Sequence, residues 1–308
     1  MTKVLTVATR GGNLAIAQTW TICSLLKEIH PGLQINIKTI TTTGDRDRRT
    51  ALWTLKDTGF FTSKLEDTLL ASDADFAVHS FKDLPTRYRD GLTIAAVCDR
   101  QFAEDCLIAG DLVASIDQLP RAAKIGTSSL RRAAQLKHLR ADFLPTSIRG
   151  NVLTRIRRLE EGKFDAIILA RAGIERLGLA DKISFCFDPK QFIPAPAQGA
   201  LAIQTRTDDI KTYKLIASID DGKNRTTALA ERKILTTMHC GCHAPVGAFA
   251  KIAGDDIEIT AFISNVDGTN FIRRQITGPA SDAENLAENI ANDLLASGGK
   301  EILEKLER

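Results

Sequence analysis

The chain has 308 residues, 44% of them hydrophobic, and a net charge of +3 from 41 basic and 38 acidic side chains. That length suits about two domains or three small ones, and so even a balance excludes a general polyanion binder. No apolar run is long enough to cross a bilayer, the start MTKVLTVATR lacks the apolar stretch of a secretion signal, and the six cysteines do not form a disulfide framework. A soluble, cytoplasmic protein of a reducing compartment is expected, monomeric by default.

In chain order, VLTVATR alternates and ends at Gly11-Gly12, which predicts a strand. Leu14 to Ile29 has helical spacing, and Pro31-Gly32 stops it. LQINIKTITT is a second strand, followed by a polar loop, TTGDRDRRTALWTLKDTGF. Thr62 to Ser72 is helical, DFAVHS is a buried strand, FKDLPT leaves its carboxyl end, and LTIAAVC is another strand. The pattern then restarts. AKIGTSS is a strand and turn, Ser129 to Arg140 a helix, DFLPTSIRG a strand, and Asn151 to Glu161 a helix. FDAIILARAG is a strand, and IERLGL a short helix. Such alternation predicts an α/β fold, with parallel or mixed sheets covered by helices. FIPAPAQGALAIQTR reads as a proline-rich crossing between lobes. From about Ile219 a separate α+β domain is expected. It has a helix over Thr226 to Thr236, three alternating strands, and one last amphipathic helix from Asp282.

Ligands of such sheets sit off the carboxyl ends of the strands. Arg10, Lys82, Asp83, Ser128, Arg131, Arg149 and Arg171 all fall at or just beyond such ends. GTSSLRR places hydroxyl side chains and free N–H groups at a helix start with two arginines close by, a physically coherent carboxylate or phosphate site. IRGNVLTRIRR repeats that design with Arg149, Arg155 and Arg158. Solvated helix charge is the plain alternative. The equivalent placement of both groups favours a small anionic ligand. Nucleic acid is disfavoured, because aromatic residues make up only 6% of the chain. In HSFKDLPT the pair Lys82 and Asp83 is either a surface ion pair or a carboxylate held to stabilise a cation or move a proton.

MHCGCHAPVG leaves several readings open. His239, Cys240, Cys242 and His243 could ligate a metal, but structural zinc prefers wider pairs and a second cluster, so no metal is expected. A redox pair, a buried structural cysteine and a single nucleophilic thiolate on a tight turn remain.

The segments VATR, FAVHSFKDLPT, GTSSLRR, IRGNVLTRI, FDAIILARAGIERLGL, AQGALAIQTR and GCHAPVGAFA, taken in order, resemble the porphobilinogen deaminase (hydroxymethylbilane synthase) family over nearly the whole chain. The resemblance implies two periplasmic-binding-protein-like lobes with mixed sheets plus a small α+β C-terminal domain. The boundaries then fall at 1–98 plus 194–217, 99–193 and 218–308. It implies a dipyrromethane cofactor bound by a thioether to Cys242 of the G-C-x-x-P-x-G motif, with Cys240 and the histidines outside it. It makes Asp83 the catalytic carboxylate. Porphobilinogen is the implied substrate, with no nucleic-acid or membrane partner. Four molecules condense on the cofactor with loss of ammonia, and water releases a linear tetrapyrrole. Arg10, Lys82, Arg131, Arg132, Arg149, Arg155 and Arg176 match carboxylate-binding positions. Ser80, Thr127, Ser129, Gly150, Ala170 and Gln198 match other cofactor or substrate contacts. The sequence departs from the family in RGGNLA after Thr9, in PAPAQGA, and in LWTLKDTGFF, where Thr54 and Thr58 replace lysines and only Lys56 is near. Competing readings are a two-lobed anion-binding protein without chemistry, a catalytically weakened relative, and a metalloprotein built on HCGCH.

Overall fold

The computed structural model describes residues 4–41, 62–110, 113–241 and 244–307. Cys242, His243 and the loop bearing Thr54, Lys56 and Thr58 lie outside the described residues.

Strand β1 (Val4–Arg10) buries Leu5, Val7 and Ala8, and helix α1 (Asn13–Ile29) turns Ile22, Cys23 and Leu26 toward the same core. Strand β2 (Gln34–Ile40) runs parallel to β1 along its whole length. Helix α2 (Ser63–Leu70) leads to β3 (Phe76–Ser80), which is buried except at its last residue, as a strand covered on both faces must be. Strand β4 (Leu92–Cys98) closes this part of the chain. The sheet is completed from far along the sequence: β10 (Leu201–Arg206) inserts antiparallel between β3 and β4, with Leu201 opposite both Ser80 and Cys98. The five-stranded order is β2-β1-β3-β10-β4.

A second five-stranded sheet repeats this plan. Strands β6 (Lys124–Gly126), β7 (Leu144–Thr146) and β8 (Ala166–Ala170) are parallel, while β5 (Asp105–Ala109) is antiparallel to both β8 and β9 (Phe185–Cys186). The order is β7-β6-β8-β5-β9, so each sheet has four strands of one sense and one inserted antiparallel strand in the same place. Helices α3 (Leu130–Leu139), α4 (Val152–Glu160) and α5 (Arg171–Glu175) follow β6, β7 and β8. After β10 and the short helix α6 (Ile210–Ile216), helix α7 (Gly222–Thr237) packs on a three-stranded antiparallel sheet of β11 (Val246–Ala253), β12 (Asp256–Ile263) and β13 (Ile272–Pro279). Helix α8 (Ala283–Leu294) shares that core. The mixed sheets and the separate α+β unit expected from the sequence are present.

Three differences have physical causes. The sequence reading passed over β5, because its acidic first residue and short length weaken the apolar signal of DCLIA. It extended the strand in DFLPTSIRG, whereas only Leu144 to Thr146 pair with β6. It also expected one helix after Asp282. The chain instead breaks at Leu295–Gly299, where Gly298 adopts φ +113°, and resumes as α9 (Lys300–Glu307).

Two crossings join the first two sheets: residues 99–104 lead into β5, and residues 187–200 lead back into β10. They touch at Gly199, where φ is +90° and an added Cβ would lie 2.2 Å from the Phe102 carbonyl oxygen. Glu231 of α7, fully buried, holds both crossings to the third sheet. It pairs with Arg100 at 2.7 Å and accepts from the Ala197 and Ala250 amides at 2.6 Å each. Gly199→Ala must therefore part the crossings as well as strain the backbone. We expect a loss of about 2 kcal/mol or more, read as a lowered thermal midpoint. An unchanged midpoint would show that the crossings do not touch in solution.

Candidate functional site

The centre of the site is an acid. Asp105 opens β5 and is fully buried, with its carboxylate shared between two guanidinium groups. Arg131 reaches Oδ2 at 2.8 Å, and Arg132 reaches Oδ1 through Nη2 at 2.7 Å and through Nε at 3.1 Å. Both arginines lie in the first turn of α3, whose N-cap Ser129 accepts from the Arg132 amide. Burial alone would raise the carboxyl, but Arg131, Arg132 and Gln198 outweigh it and hold Asp105 well below the usual carboxylate range. Arg131 also donates to the Ile193 carbonyl at 2.6 Å, and Arg132 to that of Ile168 at 3.1 Å. The Nε of Arg131 is buried with no partner among the described residues.

Gln198 extends this network across the crossing. Its Nε2 donates to Asp105 Oδ1 and to the Ala103 carbonyl at 2.8 Å each, while its Oε1 accepts from Lys82 Nζ at 3.1 Å. A hydrogen-bonded path thus runs from Lys82, beyond β3 in the first sheet, to Arg132 beside the second. Burial pulls the half-buried Lys82 ammonium down to about 8, Asp83 opposing and Arg132 adding to the fall.

Asp83 itself ends the single 3-10 turn Phe81–Asp83 that follows β3, and it is exposed. The turn is gripped from behind. Buried Arg232 of α7 donates to the carbonyls of Phe81, Leu84 and Pro85 at 2.9, 2.8 and 2.5 Å, and its guanidinium lies over the Phe81 ring. Ser80, the last residue of β3, exchanges hydrogen bonds with Gln18 of α1 at 2.8 and 3.2 Å. Arg10 ends β1, and its charge bears on buried His79, which burial pulls down to about 4.

On the opposite side stand Arg149 and Arg155, both half-buried. Arg155 Nε donates to the Gly150 carbonyl at 2.8 Å, and Asn151 caps α4 by accepting from the Thr154 amide. Burial, and then repulsion from Arg132, Arg149 and Arg158, bring Arg155 down to about 10, with Asp83 opposing. Asp83 therefore faces this guanidinium group from the other sheet. Thr127 is buried and its hydroxyl accepts from the Ser129 amide at 3.2 Å, and Ala170 ends β8.

Arg176 stands apart. It donates to the Asp99 carboxylate at 3.0 and 3.2 Å and to the Asp99 and Gly199 carbonyls at 2.7 and 2.6 Å, clasping both crossings. Arg171 pairs with Glu104 and Glu175 at 2.8 Å each and covers Phe102. Sequence reasoning missed Asp105, Gln18, Arg100, Glu231 and Arg232. An acid at the head of an apolar strand was the available signal for Asp105. The others lie on helices or in a crossing, where nothing local marks them.

Could these residues hold a group rich in carboxylates? Lys82, Arg149, Arg155 and the spare Arg131 Nε are donors suited to them, and the mutual repulsion at Arg155 is what anions would relieve. The donor set fits. Among the described residues no cluster of three or more histidine, cysteine or acidic side chains could hold a metal.

The arrangement defines a two-lobed α/β protein whose strand ends offer excess cations around one exposed carboxylate. Residues 5–214 match the family model described as porphobilinogen deaminase, dipyromethane cofactor binding domain, and residues 225–296 match the porphobilinogen deaminase C-terminal domain. A porphobilinogen deaminase of Campylobacter curvus is 40% identical over 307 residues, 99% of this chain and 98% of that one. The chain belongs to the porphobilinogen deaminase family. Among solved structures, the periplasmic VFT2 domain of Bordetella pertussis BvgS is 13% identical, with a TM-score of 0.41 over 70% of this chain and 86% of that one. The methionine-binding protein MetQ is also 13% identical, with a TM-score of 0.43 over 74% and 94%.

Asp105→Ala would leave two buried guanidinium groups without their shared partner. We expect a loss of about 3–5 kcal/mol, read as a lower denaturant midpoint. A loss below about 1 kcal/mol, the level of an exposed pair, would show that water reaches this network.

Proposed function

We propose that the chain is a hydroxymethylbilane synthase, a transferase that condenses four porphobilinogen molecules in turn on a covalent dipyrromethane and releases the linear tetrapyrrole by hydrolysis. The observation that carries this reading is Arg155, crowded by Arg132, Arg149 and Arg158 and offset by the Asp83 charge from beyond the first sheet, in a chain matched by the family along its length. The three-part division at 1–98 plus 194–217, 99–193 and 218–308, a cytoplasmic location and a monomeric state belong to the same reading. No helix among the described residues is long and apolar enough to cross a membrane.

The roles follow from charge. Porphobilinogen carries an acetate and a propionate, which Lys82, Arg149 and Arg155 bind and orient, joined by Arg10 and by Arg131 through its Nε. Arg132 is fully engaged inside the protein and contributes field more than contact. Arg176, clasping the crossings, sets the spacing of the lobes. As ammonia leaves, positive charge spreads over the substrate pyrrole. The Asp83 carboxylate accepts a hydrogen bond from the pyrrole N–H and stabilises that charge, and Arg232 holds the turn that presents it. When bound, the dipyrromethane supplies a terminal pyrrole whose free α-carbon is the nucleophile. Ser80, Thr127, Ser129, Gly150 and Ala170 line the approach at strand and helix ends, and buried Gln198 of the crossing acts through Lys82. Attachment falls to Cys242 by its place in GCHAPVG.

Intact-mass measurement with peptide mapping tests the attachment. Wild type and Cys240→Ala should carry two pyrrole units on Cys242, and Cys242→Ala none. A modified Cys240 would mean that the wrong thiol has been chosen. Asp83→Asn should keep the pyrrole mass yet lose at least about 100-fold in turnover, the scale of a lost charge-stabilising group. Near-normal turnover in that variant would remove Asp83 from the chemistry.

Lys82 gives a pH test with a definite sign. Its folded value, about 8, lies below that of a free lysine, so the site loses this cation as pH rises through 8. Substrate KM should therefore climb across that range, and Lys82→Arg should flatten the climb. In the same window the unfolded chain binds more protons, so this group makes the fold relatively more stable as pH rises. A KM that stays flat in wild type would exclude Lys82 from substrate binding.

A further inference from the structure

At the edge of the second sheet, two cysteines face each other. Cys106 of β5 and Cys186 of β9 are direct partners in an antiparallel pair. The adjacent residues set the kind of pair. The Phe187 amide donates to the Asp105 carbonyl at 3.0 Å, so Asp105 and Phe187 form a hydrogen-bonded pair. Such pairs alternate along an antiparallel ladder, which makes Cys106 and Cys186 a non-hydrogen-bonded pair. There the Cα atoms are about 4.5 Å apart and the side chains share a face. That separation lies within the window of about 4.4–6.8 Å that a disulfide requires. Access differs between the two: Cys106 is fully buried, and Cys186 is exposed. Both are free thiols, and the Cys186 sulfur is close enough for its charge to bear on Cys106. Burial raises the Cys186 thiol, the Arg171 guanidinium partly offsets this, and Glu104 and Glu175 oppose Arg171.

We propose that Cys106 and Cys186 form an oxidation site that takes a hydroperoxide and closes to a disulfide, stapling β9 to β5. The Cys186 thiolate attacks a peroxide oxygen. The O–O bond breaks, and with hydrogen peroxide the leaving hydroxide takes up a proton as water, which makes a sulfenic acid. The Cys106 sulfur then attacks the Cys186 sulfur. The S–S bond forms, the S–O bond breaks, and a second water leaves with the Cys106 proton. Two thiols are oxidised and one peroxide is reduced, so no other reactant is needed. The order follows from access: the exposed sulfur meets the oxidant, and the buried one resolves it. The staple falls one residue from Asp105 and at the strand from which the second crossing departs. It closes the segment between residues 106 and 186, most of the second lobe, within one covalent loop.

The test uses freshly reduced holoprotein, freed of reductant and treated with a small excess of hydrogen peroxide. Free thiols are then alkylated and the peptides mapped without reduction. The expected result is a peptide pair joined through Cys106 and Cys186, lighter by two hydrogens and separated by dithiothreitol. Cys186→Ser, at an exposed position, should fold, keep wild-type turnover and give no such pair. A Cys186 that proceeds to sulfinic or sulfonic acid while Cys106 is alkylated in full would overturn the proposal. So would a cross-link from Cys106 that survives in Cys186→Ser.

Discussion

One buried carboxylate has to satisfy two guanidinium groups, and the site depends on that shortage. Asp105 brings one negative charge to a place where Arg131 and Arg132 bring two positive ones. The remaining demand is met by neutral acceptors, the carbonyls of Ile193 and Ile168, and a buried N–H of Arg131 is left over. Gln198 adds no charge while linking the cluster to Lys82. The interior is thus held together by hydrogen bonds yet keeps a net positive charge. Such a field would be a poor choice for stability alone, since buried ion pairs are often matched by apolar packing. It suits a protein that must draw carboxylates in among its strand ends.

The third domain governs the same region from behind. Glu231 and Arg232 are neighbours on α7, yet they reach different targets. Glu231 ties Arg100 and Ala197, one from each crossing, to Ala250 of β11. Arg232 takes three carbonyls around the turn that ends in Asp83. A single helix therefore holds both the crossings between the first two sheets and the turn that ends in Asp83. The GCHAPVG segment connects that helix to β11, so the predicted attachment point sits in the chain between two elements that Glu231 already bridges.

How much of this was legible in the sequence depended on whether the cause was local. The β-α alternation, the glycine stops and the hydroxyl-arginine helix starts are local, and they located Lys82, Asp83, Arg149 and Arg155 at strand or helix ends. The insertion of β10 between β3 and β4 is not local, and the sequence reading did not foresee it; resemblance implied only that 194–217 return to the first lobe. Asp105 was passed over for a related reason. A carboxylate at the head of DCLIA looks like a solvated strand end until α3 delivers two arginines onto it. Arg131 and Arg132 looked like open ligands for the same reason, whereas the fold engages most of their donors. Arg176 reads in sequence as one more cation of IERLGL, and only the meeting of the two crossings turns it into a clasp.

Charge crowding explains why arginine dominates this site and why its one lysine matters. Burial, and then repulsion from Arg132, Arg149 and Arg158, lower the proton affinity of Arg155, but a guanidinium starts high enough to stay charged at about 10. A lysine begins lower. Under burial, with Arg132 and Arg131 adding to the fall, Lys82 comes down to about 8. An arriving carboxylate reverses both effects, because an opposite charge favours the protonated form. On the proposed role of Lys82, substrate binding is linked to proton uptake in mildly alkaline solution, and substrate release to proton loss. The arginines supply a constant field, and Lys82 makes that field responsive to pH.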